Sequence, residues 1–162
     1  MNDRLTHLDE QGRARMVDVG EKPITFRECV ARAEVHLQPE TLAKITDGTI
    51  PKGDVLATAR LAGIQAAKRT HEWIPLAHPL PLDAVEVQLT PDPAGNMLHI
   101  EATARVHWRT GVEMEALVAA SAAGLTVYDM CKAVDRSMRL DAVRLVRKSG
   151  GKSGNWERED AK

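Results

Sequence analysis

Aromatic side chains are nearly missing from this chain: three Trp, one Tyr and one Phe make up 3% of its 162 residues. A core built without them must rest on Val, Leu, Ile and Ala, which allow close approach of backbone elements but bury little area apiece. Self-association is a natural source of further burial. Only Cys29 and Cys131 are present, with no CxxC pair, which excludes a disulfide framework and fits a reducing cytoplasm. Nowhere do eighteen apolar residues run together, and Met1 to Gly20 carries Asp3, Arg4, Asp9, Glu10, Arg13 and Arg15. Neither a membrane span nor a signal peptide is expected on that ground. An excess of one charge is lacking too: 22 Lys and Arg stand against 23 Asp and Glu, for a net charge of -1. The surface as a whole therefore does not attract a polyanion such as nucleic acid, and a phosphate ligand needs locally gathered cations.

What is present reads as one α+β domain. Cys29 to Leu37 alternates apolar and polar residues like a half-buried strand, although Phe26, Val30, Ala33 and Leu37 also match helical spacing. Pro39 to Thr46 is a short helix with proline in its first turn. Asp54 caps a longer helix running to about Thr70, with Val55, Ala59, Ala62 and Ala66 as its apolar stripe. Asp83 to Thr90 and Leu98 to Trp108 are alternating strands joined by turn-forming residues, hence a hairpin. An Ala-rich helix over about Val112 to Val134 follows, then a strand over Met138 to Lys148 whose alternation slips near Ala142 and Val143, as at a bulge. The order predicts a ferredoxin-like βαββαβ fold, an antiparallel sheet with helices packed on one face. The domain should span 16–156, between a polar segment at 1–15, ordered by a ligand or neighbouring subunit, and a flexible tail at 157–162.

Familiar motifs fail. Gly151-Lys152-Ser153 resembles the end of a phosphate-binding loop, but Val146 stands where the first glycine is needed. His71-Glu72 meets Pro75 where a zinc helix needs its second histidine, and His78 has no partner at ligand spacing, so no metal is expected. Polar stretches at element ends remain. Lys148 to Gly154 sets Lys148 and Lys152 around glycines, either a phosphate cradle or a basic tail. Lys52 precedes a helix N-terminus, where it either shares an anion with the helix dipole or is simply exposed. His78 lies between prolines in an apolar loop, suited to proton transfer or satisfied by a backbone carbonyl. Thr110 and Glu113 have the spacing of a capping box. Glu115 and Asp129 share a face of the long helix about 21 Å apart. Asp129 and Lys132 are either a surface ion pair or, among Leu125, Val127, Met130 and Ala133, an aspartate orienting a desolvated lysine base.

These stretches also carry a family resemblance. Lys52-Gly-Asp-Val55, Ala62-Gly-Ile-Gln-Ala-Ala-Lys68, Pro75-Leu-Ala-His-Pro-Leu80, Thr110-Gly-Val-Glu-Met-Glu-Ala116, Tyr128-Asp-Met-Cys-Lys-Ala133 and Lys148-Ser-Gly-Gly-Lys-Ser-Gly154 resemble the cyclic pyranopterin monophosphate synthases of molybdenum-cofactor biosynthesis. So do Leu5 to Asp9 and Ala14 to Asp18. One departure is Ala77, where the family usually has cysteine. The resemblance implies a cytoplasmic lyase, a hexamer built as a trimer of dimers with its site at a subunit interface, opening and reclosing a cyclised dihydro-GTP with loss of pyrophosphate. On that basis Lys52, Lys68, Lys148 and Lys152 are candidates for the triphosphate, and Asp129, Lys132 and His78 for proton transfer. Lys132 would be the principal acid/base held by Asp129, and Lys148 or Lys152 a further proton donor. Glu113 and Glu115 would contact the pterin, with Ala77 and Met114 beside it. No cofactor is expected, and Mg²⁺ alongside the triphosphate is not indicated by the residues. The competing class is a non-catalytic sensor of GTP-like nucleotides. An RNA-binding sheet is disfavoured, since the predicted strands offer only Trp108 for stacking.

Overall fold

A computed structural model describes residues 7–159. Its elements are β1 (Thr25–His36), α1 (Pro39–Thr46), α2 (Val55–Lys68), α3 (Thr70–Trp73), β2 (Ala84–Asp92), β3 (Met97–Trp108), α4 (Glu113–Cys131), β4 (Arg139–Ser149) and β5 (Trp156–Glu157). The strands form one antiparallel sheet in the order β2-β3-β1-β4-β5, the expected ferredoxin-like arrangement extended by one short edge strand.

Alternation decides the sheet. On β1 the side chains of Cys29, Ala31, Ala33 and Val35 are buried under the helices, while Phe26, which helical spacing would have placed inside, is exposed. The opposite face is a lattice of ion pairs in which Arg105 binds Glu28 and Glu86, Arg32 binds Glu101 and Arg144 approaches Glu34. α4 covers β1, β3 and β4, and α2 lies beside it over β2. Small residues set their spacing: Ala116, Ala119, Ala120 and Ala123 are fully buried, and a Cβ on Gly63 would come within 2.8 Å of the Ala119 carbonyl oxygen. Both cysteines are free and buried, and burial pushes their thiols up to about 12 for Cys29 and about 11 for Cys131. No helix among the described residues is long and apolar enough to cross a membrane.

Two boundaries differ from the sequence reading, and one irregularity it expected is present. The second helix stops at Lys68 and restarts as α3 from the buried Thr70, whose hydroxyl donates to the Ala67 carbonyl at 3.0 Å. The slip in β4 is real: Arg32 and Glu34 face Arg144 and Asp141, so two steps on β1 match three on β4, and Ala142 takes up the difference at φ 50. Glu157 and Arg158, expected in a flexible tail, join the sheet edge instead. Glu157 pairs with Arg147, and Arg158 N–H donates to the Val146 carbonyl at 2.9 Å, because the free edge of β4 offers backbone groups that need partners. Residues 7–15 form a small turn of chain joined by a Leu8–Ala14 bridge, and the expectation for 1–6 lies outside the described residues.

Candidate active site

The two ends of α4 each gather candidate residues. At its start, a cleft of about 140 Å³ is lined by Ala77, His78, Thr110, Glu113, Met114 and Glu115, among others. Proline-flanked chain carries His78 to this cleft, where its Nε2 lies 2.9 Å from the Val17 carbonyl oxygen. Glu115 is 4% exposed, and burial, reinforced by the neighbouring charge of Glu113, pushes its carboxyl up to about 7. Such an acid can give or take a proton at neutral pH. Glu113 does not close the expected capping box: the N-cap of α4 is Val112, without a side-chain hydrogen bond, and the Glu113 carboxylate folds over Gly111. Lys148 explains the choice, since its Nζ donates to Glu113 Oε1 at 3.1 Å in a half-buried pair, stronger than an exposed cap.

At the far end Asp129 stands between two lysines. Lys132 Nζ donates to Asp129 Oδ1 at 2.7 Å, while Lys52 Nζ reaches Oδ2 at 3.0 Å and the Asp129 carbonyl at 2.9 Å. Hydrogen bonds from Lys132 and then Lys52 hold the Asp129 carboxyl down at about 2 and keep the Lys132 ammonium protonated. The desolvated lysine base is not formed within one subunit. The Lys132 and Asp129 side chains are 51% and 57% exposed, because Val127 and Met130 turn into the core instead of surrounding them. Lys52 likewise leaves the helix dipole: Asp54 caps α2 by accepting from the Ala57 N–H at 2.9 Å. The cluster at this end is thus an ion-pair network open to solvent, with Lys132 held protonated. A groove of about 630 Å³ between α2 and α4 runs up to Asp129, past Trp73 and Leu125.

Lys68 and Lys152 make no hydrogen bond or ion pair among the described residues, so neither is drawn into these two clusters. Lys152 sits in a loop whose shape is set by glycine: a Cβ on Gly150 would meet the Phe26 carbonyl oxygen at 2.1 Å, and one on Gly151 would meet Arg27 Nη1 at 2.1 Å. Arg27, absent from the sequence reading, supports that loop while donating through Nε to the Trp108 carbonyl at 3.1 Å. The signal was one more turn of alternation, had the strand been started before Cys29. Also missed was the contact of Val17 with His78, which joins residues 61 apart and leaves no local pattern. No cluster of three or more His, Cys, Asp or Glu able to hold a metal ion occurs among the described residues.

Residues 16–151 match the MoaC family. The chain belongs to that family. Among the members most similar to this MoaC chain, a Chloroflexus aurantiacus protein named cyclic pyranopterin monophosphate synthase is 64% identical over 157 residues, covering 97% of this chain and 96% of the relative. Proteins of the same name from Chloroflexus aggregans, 62% identical over 98% of this chain and 96% of the relative, and Pelotomaculum thermopropionicum, 60% identical over 96% and 91%, extend the likeness. The matched span of the MoaC chain contains both α4 clusters and all but Lys152 of the candidate residues.

Proposed function

We propose that this chain is a cyclic pyranopterin monophosphate synthase, a lyase of molybdenum-cofactor biosynthesis that converts cyclised dihydro-GTP to cyclic pyranopterin monophosphate and pyrophosphate. The observation that carries the chemistry is Glu115, a buried carboxyl raised to about 7 that lines one cleft with His78. Opening and reclosing a ring requires a group that protonates a leaving atom and another that accepts a proton, and both types face this cleft. Lys132, held protonated by Asp129, supplies a second acid. Lys148, Lys152, Lys52 and Lys68 neutralise the triphosphate, and none of these steps needs a resident metal or other cofactor. Free, buried thiols suit a reducing cytoplasm.

In one subunit the clusters are separated by the length of α4, about 21 Å from Glu115 to Asp129. A two-fold pairing that sets two such helices antiparallel would bring the start of one to the end of the other, giving two composite sites per pair. We therefore propose a homohexamer, a trimer of dimers, with each site shared between subunits. The deciding measurement is pyrophosphate release from the cyclised substrate by the purified protein. Stoichiometric pyrophosphate with pyranopterin product is expected. Tight binding of the substrate with no pyrophosphate would replace the lyase with a nucleotide sensor.

A further inference from the structure

Nothing in the chemistry above says which ring nitrogen of His78 does the work, yet the fold decides it. The ring is half-buried, and its Nε2 lies 2.9 Å from the Val17 carbonyl oxygen. A carbonyl only accepts, so Nε2 must carry the hydrogen. Nδ1 has no hydrogen-bond partner among the described residues, and it is not one of the buried unsatisfied nitrogens, so solvent or substrate can reach it. His78 itself lines the cleft shared with Glu113 and Glu115.

The carbonyl is not a chance contact of loose chain. Three residues further on, Gly20 accepts from Arg109 Nη1 at 2.6 Å, which anchors the segment to the junction between β3 and α4. Asp18 Oδ1 accepts from the Gly20 N–H at 2.8 Å, and just past the second anchor the Lys22 N–H donates to the Val19 carbonyl at 3.1 Å, so the backbone at 17–22 is held in a defined turn. Behind it Arg15 N–H donates to the His7 carbonyl at 2.9 Å. The segment forms a strap against His78, tied at Gly20 to Arg109 at the β3–α4 corner that presents Glu113.

We infer that this strap is a positioning element: the Val17 carbonyl locks the neutral His78 ring as the Nε2–H tautomer and turns Nδ1 into the proton-accepting atom of the cleft. The inference rests on the acid/base role proposed for His78. In the step concerned, the Nδ1 lone pair takes a proton from the substrate and the ring becomes imidazolium. Its Nε2–H stays on the Val17 carbonyl, whose dipole stabilises the new positive charge, and the proton returns from Nδ1 later in the cycle. No other reactant is needed. A tautomer left free would spend part of its time with Nδ1 protonated and unable to accept, so the strap raises the competent fraction of the ring.

The test reads the ring directly. Full-length protein carrying ¹⁵N-histidine is examined by long-range ¹H–¹⁵N correlation at about pH 9, where imidazole is neutral, with His78 assigned by its loss in His78→Gln. The expected spectrum shows Nε2 at the protonated position and Nδ1 at the unprotonated one. The reverse pattern, or averaged shifts from an unfixed ring, would overturn the inference. Amide exchange supplies a second measure: His78→Ala should accelerate exchange of the Gly20 and Lys22 amides about two- to tenfold, whereas His78→Gln, whose amide can still donate to Val17, should restore it. Unchanged exchange in His78→Ala would equally count against the strap. Neither readout involves turnover, so a locked ring together with full activity in His78→Gln would refute the acid/base role of this histidine and not the anchoring.

Discussion

At the residue scale the decisive quantities are those of buried or paired acids. Glu115 is raised from 4.5 to about 7 by burial, so the folded chain holds its proton more tightly than the unfolded chain does. Stability linked to this group is fully present below about pH 4.5, falls as pH rises through about 7, and is flat above. Glu115→Gln cannot ionise and should escape that loss. Urea denaturation at about pH 5 and about pH 8 should show the variant gaining about 2 kcal/mol on the parent across the interval. Identical pH profiles would mean that the carboxyl is not raised. Asp129 and Lys132 work in the opposite sense, as an exposed pair whose value lies in the proton it holds and not in stability. Lys132→Ala should therefore leave unfolding unchanged while lowering turnover by about 10²- to 10⁴-fold, read from pyrophosphate release. The residue types at these points were readable in the sequence; the burial of Glu115 and the reach of Lys52 to Asp129 were not, because both depend on chain distant in sequence.

Elements carry the next set of constraints. Period-2 alternation located the strands, since one-sided burial leaves a pattern that survives without knowledge of the partner strand. Even the bulge at Ala142 was visible as a slipped alternation. Element ends were harder to read. The expected cap at Thr110 and Glu113 lost to Lys148, a residue 35 positions away, and β5 formed because β4 left an edge that no local propensity announces. Helix spacing is the feature most exposed to substitution. Gly63 lets α2 approach the backbone of α4, and a methyl there would sit 2.8 Å from the Ala119 oxygen, a rigid neighbour. Gly63→Ala should cost about 1–3 kcal/mol through overpacking, despite its gain in helix propensity. Chemical denaturation checks this, and a stabilised variant would show that the helices can part freely.

For the whole molecule, the separation of the two clusters is the main consequence of the fold. Folding and assembly together were expected to bring the candidate residues around one hollow; a single subunit divides most of them between the ends of α4. No sequence pattern distinguishes a site folded within a chain from one completed by a neighbour. Mixing provides the test. Combining Lys132→Ala and His78→Ala subunits with random exchange gives mixed pairs in half of all dimers, and one of the two sites in each mixed pair draws on unaltered halves. About a quarter of parental activity should return if the sites are shared, and none if each subunit works alone. The same core that holds α4 against the sheet also encloses both sulfur atoms, on β1 and at the last residue of α4. Two thiols this deeply protonated and shielded do not react with a disulfide reagent until the interior opens. Their labelling rate is consequently a built-in clock for opening of the α4–sheet interface, available in the native chain without an added probe.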